Sequence, residues 1–406
     1  MRIVLIVIDL QPGILKLRFD MNQPFSRRFS FTLRAVALVS TIFSLAGKVA
    51  AQEAAQAPLG FEEYDPVSTL KVEEHVVKRA RFPFIDIHNH QPRMPTQDLK
   101  ELLSQMDALN MAIMVNLSGR GFTQNWDEST EHLKASITNA RKTNGSRLVI
   151  FTNLVFNDFG AKDWSQRAVK QLEEDVKAGA KGLKIYKSLG FSGIKDEKGN
   201  RVAVNDKRLD PVWAKCGELG IPVLIHTADV ASFWDPLDRY NERWLELKTH
   251  PGRKRGPNDP VPFDSLIAEQ HDIFRKHPKT TFVNAHMGWY PNNLKKLDSL
   301  MEAFPNMVVE IGAVIAELGR QPRTAHQFFV KHQDRILFGK DSWVPSEYTT
   351  YFRVLETEDE YFPYHKKYHA FWRMYGLGLP DEVLKKVYYK NALRIVPGLD
   401  KSLFPD

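Results

Sequence analysis

The stretch FPFIDIHNH, residues 82–90, ends an apolar run on two histidines two positions apart. In a β-strand, side chains two apart leave the same face, so His88 and His90 would converge at the strand's exit. Convergent imidazoles suggest a metal. Alone the pair is weak, because 13 histidines in 406 residues make a chance His-x-His common. Other apolar runs also close on polar residues: Lys184 and Lys187 in KGLKIYK, His226 in IPVLIHT, His286 in TTFVNAH and Asp341 in DRILFGKD. Singly, His226 or His286 reads as a satisfied structural histidine and Asp341 as a helix cap. Four histidines and an aspartate, all at run ends, are hard to assign to independent structural duties.

Neutral imidazoles with a carboxylate suit Zn²⁺ or Mn²⁺, and an open coordination position lowers the pKa of bound water toward ~7. Asp341 would hold the resulting hydroxide and shuttle its proton. His286 would polarise a carbonyl or protonate a leaving group. Cys216 is the sole cysteine, which excludes an intramolecular disulfide and a Cys-based zinc site; it reads as a small buried apolar residue. No Gly-x-Ser-x-Gly elbow supports a serine hydrolase.

Such convergence needs a scaffold that brings strand ends together. Eight β-rich apolar runs follow a polar segment at 52–80: residues 82–90, 111–118, 147–156, 181–187, 221–227, 280–286, 306–313 and 334–341. Between them lie helix-like stretches such as TQDLKELLSQMDAL, ESTEHLKASITNARK, SQRAVKQLEEDVKAG, DPVWAKCGELG and DSLIAEQHDIFRKH. Continuously apolar strands belong in parallel sheet buried on both faces, and eight alternations predict an α/β fold, a (β/α)₈ TIM-like barrel. An open doubly wound sheet is the competitor, but HNHQPRMP stands where its Gly-rich phosphate loop would be. In the barrel the polar run ends share one rim, the carboxyl rim where reactive groups sit. The other nine histidines, including His271, His277, His326 and His332, fall in helical stretches or loops and read as solvated surface groups.

The order His-x-His, Lys, His, His, Asp over runs 1, 4, 5, 6 and 8 resembles the amidohydrolase superfamily of metal-dependent hydrolases. ILFGKDSW and NALRIVPG resemble the closing segments of its amidohydrolase-related branch, and the likeness covers about residues 82–398. It implies a distorted barrel holding one or two divalent metals, with His88, His90 and His226 as ligands. Asp341 would bind metal and accept the proton of the attacking water, and His286 would ligate a second metal or act as an acid/base group. Many members of the branch decarboxylate instead. Two features depart from the pattern: Lys340 stands where a small hydroxyl residue is frequent, and run 4 offers two lysines. KGLKIYK resembles the matching segment of hydantoinases and dihydroorotases, which implies that Lys184 becomes a metal-bridging carbamate. An ammonium has no lone pair to donate, whereas a carbamate is an anionic oxygen ligand. Lys187 would then sit near the rim, solvated.

At the N-terminus, Arg27, Arg28 and Arg34 precede AVALVSTIFSLAG and the small residues of KVAAQEAAQA, the layout of a secretory signal peptide. Cleavage after Ala51 and a start at Met21 fit that layout best; the apolar run is shorter than the ~20 residues of a spanning helix. Three parts follow: a leader at 1–51, an N-terminal extension at 52–80 and a barrel at 81–406. Removing the leader takes the net charge from +7 to +2, so the basic pI is mostly the leader's and nucleic-acid binding loses its support. A secreted or periplasmic location follows, with no stable membrane insertion after cleavage. The long segment 228–263, carrying Trp234, Arg239 and Trp244, reads as a lid or as a contact in a homo-oligomer. The leading functional expectation is a metal-dependent hydrolase acting on an amide, ester or lactone-like carbonyl of a small-molecule substrate. A metal-dependent non-oxidative decarboxylase and a metal-binding relative without turnover are the alternatives.

Overall fold

The computed structural model describes residues 5–11, 14–20, 59–61, 63–256, 261–369 and 371–405. The chain divides into two compact units, Met1–Pro66 and Val67–Asp406. In the first, β1 (Leu5–Gln11) pairs antiparallel with β2 (Ile14–Asp20). The apolar run and proposed cleavage point of the leader lie outside the described residues. Among the described residues no helix is long and apolar enough to cross a membrane.

The second unit is a distorted (β/α)₈ barrel. Its strands are β3 (Phe84–Asn89), β4 (Met111–Asn116), β5 (Leu148–Ile150) with β6 (Thr152–Asn153), β7 (Leu183–Ile185), β8 (Val223–Ile225), β9 (Phe282–Asn284), β10 (Met307–Glu310) and β11 (Ile336–Leu337). All eight expected runs contribute, and the barrel ladders are parallel. The ladder is interrupted twice, leaving sheets of three and six strands. One interruption is at Phe151, where the third run changes neighbour: the Phe151 amide donates to Asn116 O and the Thr152 amide to Gly182 O. The other lies between β3 and β11, which are joined by Ile87 N to Phe338 O (3.0 Å) and Asp341 N to His88 O (2.6 Å).

That second seam is held from inside by Asp86. It shares the inward face of β3 with His88, and its buried carboxylate accepts from the His88 amide (3.0 Å), the Lys340 amide (3.2 Å), Asn89 Nδ2 (2.9 Å) and Tyr348 OH (2.6 Å). Burial raises its pKa to about 6 against the pull of these donors. Beside it Phe84 meets Phe338 at 4.7 Å and Phe352 at 5.3 Å, edge to ring. The first and last strands are thus aligned by packing and by one carboxylate, and that alignment sets His88 against Asp341.

Amphipathic helices cover the barrel where expected: Leu99–Leu109, Trp126–Asn144, Trp164–Ala178, Asp210–Glu218 and Phe263–Lys276. The insertion after β8 is anchored, not loose. Arg243 at its centre is 2% exposed, pairs with Glu246 (2.7 Å) and Glu317, and lies over Trp372 at 4.7 Å.

Several histidines expected at the surface are not solvated. His332 is buried against Asp298, His369 is buried against Glu246 and Arg243, and His277 bonds Asp210. Their partners come from remote segments, which local polarity does not reveal. Cys216 is buried and unbridged.

Candidate metal centre

Each expected site residue stands at the carboxyl rim. His88 lies in β3 and His90 just past it; Lys184 is in β7; His226 follows β8; His286 follows β9; Asp341 follows β11. They form a chain of contacts. Asp341 Oδ1 is 3.3 Å from His88 Nε2 and 3.5 Å from His90 Nε2, and these three offer ligand atoms within 4.8 Å of one another. Lys184 Nζ, fully buried, is 3.4 Å from His88 Nε2. The His88 and His286 rings lie 5.0 Å apart, and His286 Nε2 is 3.3 Å from His226 Nδ1. His226 therefore reaches the group only through His286. Lys187 is apart from it, half-exposed at the rim and paired with Asp229 at 2.6 Å.

The outer nitrogens fix the tautomers. His226 Nε2 donates to Ala228 O (2.9 Å) and His286 Nδ1 to Gly312 O (2.7 Å), so His226 Nδ1 and His286 Nε2 are bare. His88 Nδ1 meets the carboxylate of Glu310 at 3.0 Å and must carry its proton, leaving Nε2 bare. His90 Nδ1 meets Ser118 Oγ at 2.9 Å. Burial lowers His90, takes His88 down to about 4 and holds His226 well below its ordinary value. Burial also opposes ionisation of Asp341, but His88, His90 and His286 outweigh it and hold the carboxyl well below the usual range. Lys184 is lowered to about 8 by burial, against the pull of Asp341 and Glu310. Bare imidazole nitrogens and an anionic oxygen crowd together with too few protons between them. That donor set fits a borderline divalent ion such as Zn²⁺ or Mn²⁺.

Glu310, the last residue of β10, escaped the sequence reading. NMVVEIGA carries an acid inside the seventh run, which the search for polar residues at run ends passed over. It is fully buried and held down to about 2: burial opposes ionisation, and His88 and His286 outweigh it.

Equally invisible in the sequence is a left-handed turn. His286, Met287, Gly288 and Trp289 have φ of 57°, 55°, 61° and 64°. Such backbone costs roughly 1–2 kcal/mol per non-glycine residue. It sets Trp289 against His286 at 4.5 Å, the rings tilted by 42°, and brings it within 5.2 Å of His226. Asp341 also has positive φ, 82°. Strain of this kind concentrates at functional sites. Beside the centre, Tyr186 stacks on His90 at 5.7 Å, and a cavity of about 340 Å³ reaches Lys184 between Leu154, Phe156 and Ile194.

A parallel barrel with imidazoles and carboxylates gathered at its carboxyl rim is the layout of a barrel enzyme. The chain belongs to the amidohydrolase family, whose model matches residues 85–398; its members are metal-dependent enzymes. Two solved structures share the fold. A 2,6-dihydroxybenzoate decarboxylase complexed with 2,6-dihydroxybenzoate is 15% identical, with TM-score 0.51, over 77% of this chain and 99% of that one. A dihydroxybenzoic acid decarboxylase from Polaromonas sp. JS666, with bound manganese and 2-nitroresorcinol, is 14% identical, with TM-score 0.50, over 77% and 96%. No curated protein matches the chain.

Proposed function

We propose that the chain is a metal-dependent hydrolase acting on an amide, ester or lactone-like carbonyl. The observation that supports this most is the set of bare nitrogens, His88 Nε2, His286 Nε2 and His226 Nδ1, beside the ionised Asp341. His88, His90, His226 and Asp341 would hold one ion, and His286 would ligate a second if Lys184 is carbamylated; zinc suits the donors best and manganese is the alternative. Bound there, a divalent ion supplies Lewis acidity toward water and a carbonyl oxygen. Asp341 presents its partly exposed carboxylate to the mouth and takes the water's proton. His286, its Nδ1–H fixed on Gly312 O, keeps Nε2 for a second ion or for proton exchange with the leaving group.

A second reading, non-oxidative decarboxylation, rests on Lys184 remaining an amine. A buried ammonium 3.4 Å from His88 would hold a substrate carboxylate. The two solved decarboxylases agree with it in fold alone. Assaying the purified protein against an amide, ester and lactone panel and for CO₂ release from a carboxylic-acid panel separates them. Hydrolysis abolished by chelator supports the first reading, CO₂ release without hydrolysis replaces it with the second, and turnover indifferent to chelator removes both. Export is proposed on the leader's layout. Residues 21–60 fused to a reporter active only outside the cytoplasm should give signal, and a silent fusion contradicts it.

A further inference from the structure

We propose that Glu310 is a positioning residue, not a ligand: it fixes which nitrogen of His88 faces the centre. The inference rests on reading the site as a metal centre. By composition Glu310 looks like part of a second ion site, because its carboxylate and nitrogens of His88 and His286 lie within 4.8 Å of one another. Its oxygens are already engaged. Oε1 accepts from the His286 amide at 2.6 Å and faces His88 Nδ1 at 3.0 Å, and Oε2 accepts from the Gly312 amide at 2.6 Å. Three N–H groups thus occupy three of the carboxylate's roughly four lone-pair sites, leaving a cation one lone pair at most on Oε2.

The backbone is cut to this carboxylate. A methyl group on Gly312 would stand 2.7 Å from Oε2, and one on Gly339 would stand 2.4 Å from it and 2.9 Å from His88 Cβ. Gly339 lies two residues before Asp341 on the last run. One side chain at the end of β10 therefore takes hydrogen bonds from His88 of β3 and from His286 beyond β9, and is packed by the approach to Asp341. Its charge opposite His88 Nδ1 keeps the proton there, so Nε2 stays bare toward Asp341 and Lys184. Through the His286 amide it also pins the first residue of the left-handed turn. Losing such a partner to a metal-ligating histidine typically costs 10–100-fold in metal affinity.

The test reads tautomer and affinity, not turnover. In metal-free wild-type protein carrying ¹⁵N-histidine, His88 is expected to show a protonated Nδ1 and a bare Nε2. In Glu310→Gln one acceptor oxygen becomes a donor. Zn²⁺ affinity, measured by competition with a chromophoric chelator, should fall 10–100-fold with the number of ions bound unchanged. Gly339→Ala, which crowds Oε2, should lower affinity in the same direction. A bare Nδ1 on wild-type His88, a stoichiometry lower by one ion in Glu310→Gln, or an unchanged affinity overturns the proposal. Should Glu310→Gln not fold, the wild-type spectrum and Gly339→Ala still decide. If the wild type binds no ion at all, the metal-centre reading fails by itself, while the histidine spectrum still reports on Glu310.

Discussion

His226 Nδ1 and His286 Nε2 face each other at 3.3 Å, each bare because the other nitrogen of its ring donates to a carbonyl oxygen. Two lone pairs so placed repel unless a proton or a metal ion stands between or beside them. Burial keeps His226 far from taking the proton. A proton on His286 Nε2, or a divalent ion bound beside the two rings, would relieve that repulsion at the ends of β8 and β9.

Lys184 decides how many ions bind. If it is carbamylated, Lys184→Ala lowers metal content from about two ions toward one, and added short carboxylates partly restore activity. Lys187→Ala, which breaks only the rim pair with Asp229, does neither. Elemental analysis of the two variants checks this. Unchanged occupancy in Lys184→Ala leaves a mononuclear site and moves the preference to decarboxylation.

Gly288 permits the left-handed turn. Its φ is +61°, and an added Cβ would meet Asn284 Nδ2 at 2.8 Å, an amide already bonded to Gln270. Gly288→Ala should cost about 1–3 kcal/mol from backbone strain and this contact. A urea midpoint equal to wild type contradicts the account.

Arg243 holds the insertion after β8 onto the barrel. Arg243→Met leaves Glu246 and Glu317 buried without their shared partner, and losing one member of a buried pair costs about 3–5 kcal/mol. The variant should be less stable in denaturant and more readily cut between residues 228 and 262 by protease. Equal cutting would show that the insertion is held elsewhere.

His271 supplies a pH dependence remote from the centre. Burial, followed by Lys296 and Arg275, lowers it from 6.5 to about 4. Between those values the unfolded chain binds a proton that the folded protein does not, so stability falls as pH drops from about 6.5 to 4 and is unaffected above. The loss is on the order of 2–3 kcal/mol. His271→Phe should flatten that part of the slope in denaturation series at stepped pH. Identical slopes for the two proteins contradict it.

The sequence exposed what depends on short-range pattern. Apolar runs closing on His88, His90, Lys184, His226, His286 and Asp341 revealed the strands and the rim, because a strand's periodicity and its polar exit are local. What it hid depends on partners far along the chain. Glu310 gains its role from His88, 222 residues away. The left-handed turn at His286 contains one glycine and three residues that ordinarily avoid positive φ, so nothing local announces it. His369 looks like a surface group until Arg243 and Glu246 are brought to it by the insertion.

The central claim is that these side chains hold a divalent ion. Elemental analysis of the purified wild type, His88→Ala and His226→Ala, with activity followed before and after chelation, tests it most directly. The account predicts at least one Zn²⁺ or Mn²⁺ per chain in the wild type, activity lost with chelator and restored by the ion, and loss of both metal and activity in the two variants. A metal-free wild type whose activity is indifferent to chelator would contradict it.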